Sequence, residues 1–155
     1  MIRVQSEDFD GGALMAGFAA GDASVGAVAT FVGKVRGGDV SAITLEHYPG
    51  MTEKSLAALE AKARERWPLA EVLIVHRVGR LLPGENIVFV ATASAHRAAA
   101  LEACAFLIDW LKTKAPFWKL EDGPDGPQWV AAKASDDAAA ARWHTPSPGE
   151  SPHAG

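Results

Sequence analysis

The sequence predicts an α+β fold with a mostly antiparallel sheet, and three observations carry that prediction. Windows in which apolar residues alternate are interspersed with windows in which they recur at helical spacing. Two tight turn signals, Gly37-Gly38-Asp39 and Pro83-Gly84, separate consecutive strand windows, and connections that short join antiparallel neighbours. At 155 residues, with 48% hydrophobic and 22% charged content, the chain has the size and composition of one domain with its own core.

The elements follow in order. IRVQ, residues 2–5, is a short strand, and residues 9–20 form a short helix that Gly21-Asp22 ends. VGAVATFVGKV, residues 25–35, is rich in β-branched side chains and reads as a strand; after the Gly37–Asp39 turn, residues 41–47 alternate like a returning strand. Thr52 is the expected N-cap of a helix running to about Arg66 and stopped by Pro68. Its Leu56, Leu59, Ala63 and Trp67 recur at helical spacing and should face the core. Residues 71–78 and 86–93 are strands joined across residues 81–85.

The longest helix spans about residues 96–114, with Leu101, Cys104, Leu107 and Leu111 in helical period and Pro116 fixing its end. Residues 117–121 and 128–132 form a hairpin around DGPDGP. A last short helix, residues 135–143, closes a single domain expected over residues 1–143. Residues 144–155, HTPSPGESPHAG, are poor in apolar side chains and expected to be disordered. Internal repeats are absent.

Bulk properties exclude several functions. A net charge of −4 argues against a broad nucleic-acid or anionic-membrane surface, while leaving room for a local basic pocket. The polar start MIRVQSEDFD lacks a signal core, and no run approaches the ~20 apolar residues that cross a bilayer, so a cytoplasmic protein is expected. The single cysteine, Cys104, excludes an internal disulfide framework and a cysteine-rich metal site. It lies in an apolar run and reads as a small buried hydrophobe.

Candidate chemistry concentrates in LKTKAPFWKLE, residues 111–121, where Lys112, Lys114 and Lys119 crowd around Pro116, Phe117 and Trp118. Cations beside rigid apolar walls suit an anion, and partial desolvation lowers a lysine pKa toward acid–base use. The alternative is that the lysine stems cover apolar surface with their ammonium groups in water. Ser94-Ala95-His96-Arg97 sits where a strand ends and a helix begins, so free N–H groups and two basic side chains can meet a phosphate or carboxylate. Alternatively Ser94 caps the helix and Arg97 is solvated. In Lys34-Val35-Arg36, strand alternation puts both cations on one face before a Gly-Gly turn, where they either grip an anion or are solvated.

His96 and Lys112 lie 16 residues apart on one helix, roughly 24 Å at the helical rise. One small ligand cannot reach both within a subunit. Either two anion sites exist, or a two-fold dimer, the favoured reading, sets one copy's helix start beside the other's helix end. His47 and His76 lie in strand patterns without companions at metal-ligand spacing and read as structural. No P-loop, dinucleotide fingerprint or nucleophile elbow is present.

Taken in order, FVGKVR, ITLEHYPGMTEK, RWPL, HRVGRLLPGE, SAHR and LKTKAPFWK resemble the large, catalytic subunit family of molybdopterin synthase, over residues 2–143. The resemblance implies an α/β hammerhead fold with an additional, mostly antiparallel sheet subdomain. It implies sulfur transfer in molybdenum cofactor biosynthesis: cyclic pyranopterin monophosphate (precursor Z) becomes molybdopterin as two sulfurs are inserted. The sulfur arrives as a thiocarboxylate on the C-terminal Gly-Gly of a small ubiquitin-like carrier subunit, in a heterotetramer built on a homodimer of large subunits. By motif, Lys112 and Lys119 correspond to catalytic lysines. Lys34, Val35, Arg36, His96, Arg97, Lys112, Lys119, Leu120 and Glu121 match substrate-binding positions. Neither metal nor cofactor is implied. The chain departs from the family in a shorter loop after GKVR and in having Lys114 and Lys133 where arginine is frequent, which keeps charge but loses bidentate anion binding.

Overall fold

The structure is a computed structural model in which residues 1–130 and 134–144 are described. In chain order the elements are β1 (Ile2–Gln5), α1 (Gly11–Gly17), β2 (Ala27–Lys34), β3 (Ala42–His47), α2 (Met51–Arg66), β4 (Leu69–Arg77), β5 (Gly79–Leu81), β6 (Asn86–Ser94), α3 (Arg97–Thr113), β7 (Phe117–Gly123), β8 (Gly126–Val130) and α4 (Ala134–Ala141), followed by a 3-10 turn at Arg142–His144. The strands form two four-stranded sheets, β1-β4-β6-β2 and β5-β3-β7-β8. All pairings are antiparallel except that of β1 with β4, which agrees with the α+β class.

β4 and β6 lie inside the first sheet and are covered on both faces, which explains their nearly continuous apolar runs. One face of β4, Val72 and Ile74, packs with Val90 of β6 against Leu56, Leu59 and Ala63 of α2 and Ala103, Phe106 and Leu107 of α3. The other face, Leu73, Val75, Phe89, Ala91 and Ala93, is covered by Phe9, Leu14 and Phe18 around α1. A smaller core of Val35, Ile43, Leu45 and Leu81 underlies the second sheet. The C-terminal turn docks on α3, where Asp109 accepts from Arg142 and from the Trp143 indole, each at 2.7 Å. There the Trp143 ring meets Trp67 and Phe106 edge-on, at 5.6 Å between centroids.

Several local expectations are corrected. The Gly37–Asp39 turn does not close a hairpin, because β2 ends in the first sheet and β3 enters the second between β5 and β7. Past Lys34 the chain is held instead by Val35 N–H donating to the Glu85 carbonyl at 2.9 Å, and by Gly84 N–H donating to Val35 at 2.8 Å. β5, three residues long, carries too little periodicity to be read from sequence. Thr52 is not the N-cap: Gly50 is, at φ 84°, with its N–H donating to Glu53 at 2.7 Å. Thr52 is buried inside the first turn. Its hydroxyl accepts from Tyr48 N–H at 2.9 Å and donates to the Pro116 carbonyl at 3.1 Å, tying α2 to the link between α3 and β7.

Leu101 is 60% exposed, and the buried stripe of α3 runs through Ala100, Ala103, Cys104, Leu107 and Leu111. α1 is shorter than expected and starts from Asp10, which accepts from Ala13 N–H at 3.0 Å. The β7–β8 hairpin is tighter than expected, since Gly123 pairs with Gly126 around Pro124-Asp125. Its expected last residues, Ala131 and Ala132, lie outside the described residues, as do Lys133 and residues 145–155. At the start of β2, Gly26 N–H donates to the Ser94 carbonyl at 3.0 Å, and a Cβ at Gly26 would collide with the Ala95 carbonyl oxygen.

Candidate active site

Three chain segments converge where the sheets meet: the end of β2, the end of α3 and the start of β7. They line a cleft of about 990 Å³. Six of the sequence-predicted residues line it, Lys34, Val35, Arg36, Lys112, Lys119 and Glu121. Each is placed by its element. Lys34 ends β2, at a register shift against β6, and its ammonium donates to the Gly84 carbonyl at 3.4 Å. Val35 is buried in the small core, so the backbone that carries Lys34 and Arg36 is anchored between them. Lys112 occupies the last turn of α3, where a cation also complements the negative end of the helix dipole.

Lys119 on β7 pairs with Glu121 on the same strand at 3.2 Å. Lys34, Arg36 and Lys112 make no ion pair among the described residues. Four cations therefore face two lining carboxylates, Asp39 and Glu121, and the cleft is positive inside an acidic chain. Its walls include Phe31, Ile108, Leu111 and Phe117, with Trp118 and Trp129 half open to solvent. Apolar walls thin the water around these charges and strengthen their hold on an anion.

The remaining predicted residues separate from this group. Leu120 lies opposite Thr44 and Trp129 in the second sheet and does not line the cleft. His96 and Arg97 sit exposed at the other end of α3, as the length of that helix requires. Ser94 is no helix cap, since its buried hydroxyl donates to the Pro68 carbonyl at 2.8 Å. Lys114 leaves the cluster for a separate small groove, with its ammonium 5.9 Å from the centre of the Trp110 ring. Cys104 is buried, and desolvation pushes its thiol up to about 11, which makes it a packing residue rather than a nucleophile.

One cleft residue was read from the sequence as structural only. His76 lies 7% exposed at the end of β4, stacked on Phe117 with ring centroids 3.8 Å apart and planes 15° apart. Its Nδ1 is 2.8 Å from the Arg77 carbonyl, and because a carbonyl only accepts, Nδ1 carries the proton. Burial holds its pKa down to about 4, with small contributions from Lys112 and His47. Strand parity alone did not reveal that this position opens toward the second sheet. His47, read as structural, lies 3.6 Å from Glu53.

Among the described residues no helix is long and apolar enough to cross a membrane, and no three His, Cys, Asp or Glu side chains gather as metal ligands. Fold and site together define an α+β protein whose two sheets frame a cation-lined cleft suited to an anionic ligand. The family model described as "MoaE protein" matches residues 4–114. The molybdopterin synthase catalytic subunit of Pseudomonas aeruginosa is 55% identical over 146 residues, 92% of this chain and 97% of the relative. The MoaE molybdopterin biosynthesis protein of Burkholderia ambifaria superposes with a TM-score of 0.81 at 54% identity, covering 94% of this chain and 99% of that one. A molybdopterin synthase structure from Staphylococcus aureus gives 0.75 at 31% identity, covering 83% and 96%. The chain belongs to the MoaE family, that of molybdopterin synthase catalytic subunits, and so to the enzymes of molybdopterin biosynthesis.

Proposed function

We propose that the cleft is the reaction site of a sulfurtransferase that converts precursor Z to molybdopterin, taking sulfur from the thiocarboxylated Gly-Gly tail of a small ubiquitin-like carrier. The observation that carries this reading is the convergence of Lys34, Arg36, Lys112 and Lys119 on one apolar-walled cleft. Lys34 and Arg36 grip the substrate phosphate. Lys112 polarises the thiocarboxylate carbonyl and moves a proton, while Lys119 stabilises the negative charge that develops, its ammonium steered by Glu121.

A second copy of the chain completes the site with His96 and Arg97. β2 is the outer strand of its sheet, eight residues long, or roughly 25 Å. Its first residue adjoins the Ser94–Arg97 junction through Gly26, and its last is Lys34. Val28 and Val32 along it are 43% and 40% exposed. Antiparallel pairing of two such edges about a two-fold axis brings each copy's His96-Arg97 to the other's Lys34-Arg36. The resulting homodimer, with a carrier bound at each cleft, is the heterotetramer.

The test mixes the protein with thiocarboxylated carrier and precursor Z and measures molybdopterin formed. Lys112→Ala is expected to lower turnover by about 10²- to 10³-fold, in line with loss of a proton-transfer or charge-stabilising group. Undiminished product from this variant, or none from the unaltered protein, rejects the mechanism.

A further inference from the structure

His76 carries an inference that rests on the reading above and goes beyond it. Its ring is more than nine-tenths buried at the floor of the cleft, clamped by Phe117 on one face and by the Arg77 carbonyl at Nδ1. The other nitrogen, Nε2, has no hydrogen-bond partner among the described residues and is not sealed from the cleft. With the proton fixed on Nδ1, Nε2 presents a lone pair. The Nδ1 hydrogen bond to the Arg77 carbonyl is a structural use of one ring nitrogen, but it leaves Nε2 without a use in the packing.

The other polar groups of the cleft define what that lone pair is for. Lys34, Arg36, Lys112 and Lys119 only donate; of the two lining carboxylates, Glu121 is engaged with Lys119, and Asp39, on the loop after β2, is a charged acceptor rather than a neutral one. Nε2 is thus a neutral acceptor on an aromatic floor, a setting for the N–H edge of a flat heterocycle rather than for a phosphate. Because burial keeps the ring neutral at physiological pH, it adds no further positive charge beside Lys112 and does not serve as a proton store.

We infer that His76 reads the substrate's ring system, its Nε2 accepting a hydrogen bond from an N–H of the pterin while Lys34 and Arg36 hold the phosphate. It is a specificity residue, distinct from the proton-transfer lysines. The experiment measures direct binding of precursor Z, without carrier, to the unaltered protein, to His76→Phe and to His76→Gln, alongside kcat and KM in the full reaction. His76→Phe keeps an aromatic ring on Phe117 but removes both the Nε2 acceptor and the Nδ1 donor to the Arg77 carbonyl; His76→Gln restores an acceptor oxygen near the Nε2 position, so the difference between the two variants reports on the acceptor.

Binding is expected to weaken about tenfold or more in His76→Phe with kcat nearly unchanged, and to recover largely in His76→Gln. Nitrogen NMR of the free protein is expected to show the Nδ1-protonated tautomer, with the Nε2 resonance moving when precursor Z is added. Equal binding by His76→Phe and the unaltered protein, equal losses in both variants, or an Nε2-protonated ring overturns the assignment while leaving sulfur transfer intact. Failure of the unaltered protein to bind precursor Z overturns the functional reading itself, and the role of His76 with it.

Discussion

Folding strips the imidazole of His76 of its water, and that loss outweighs the Arg77 carbonyl contact in lowering its pKa from 6.5 to about 4. The groups acting on it from other elements, Lys112 on α3 and His47 on β3, push the same way. Between the two values the unfolded chain binds more protons than the folded one. The stability that the neutral ring confers is therefore fully present above pH 6.5, declines as pH falls toward 4, and levels off below. The full swing is on the order of 3 kcal/mol. Urea unfolding across this range is expected to show His76→Phe losing less stability on acidification than the unaltered protein; identical slopes would mean that the ring is solvated. Sequence could mark His76 as a strand residue and no more, because its character comes from Phe117, 41 positions away by number. Lys112 and Lys119 were legible because their chemistry is in their side chains and their crowding is local.

Among the elements, α2, α3, β4 and β6 are the most readable, each being long enough for several periods of its pattern to agree. Where one residue had to fix a boundary or a phase, the reading slipped. Thr52 has the chemistry of a cap, but its hydroxyl serves a tertiary link, and Gly50 does the capping with a backbone conformation that favours glycine. Leu101 fits a helical period, yet α3 buries the stripe beginning at Ala100. The Gly37–Asp39 turn was misread as a hairpin because turn chemistry reports a change of direction without naming the strand that will be met. The Thr52 hydroxyl offers a test. Thr52→Val keeps the shape but leaves Tyr48 N–H and the Pro116 carbonyl without this partner, at a cost of about 2 kcal/mol. Thermal unfolding is expected to drop by roughly 4–8 °C, and an unchanged midpoint would show that water replaces the hydroxyl.

At the scale of the whole molecule, the two sheets create the cleft, and a single copy leaves three of the predicted binding residues, His96, Arg97 and Leu120, outside it. Helix rise alone separates His96 from Lys112, whereas nothing in the sequence marks the strand edge through which the proposed dimer would bring them together. The composite reading makes a quantitative prediction. Arg97→Ala and Lys112→Ala, each nearly inactive alone, are expected to regain about a quarter of full activity when their subunits are exchanged in equal amounts. Half of the dimers are then mixed, and each mixed dimer has one intact site of two. No recovery after verified exchange would confine the reaction to one subunit.

Gly26 takes on a different meaning in such an assembly. It lets β2 lie against the Ala95 carbonyl, beside the junction that displays His96 and Arg97, and any side chain there pushes that junction aside. The damaged copy keeps its own cleft, with Lys34, Lys112 and Lys119 in place, and spoils the cleft of its companion. In a cell carrying one normal and one altered gene copy, the defect would cross the two-fold axis and fall on normal subunits.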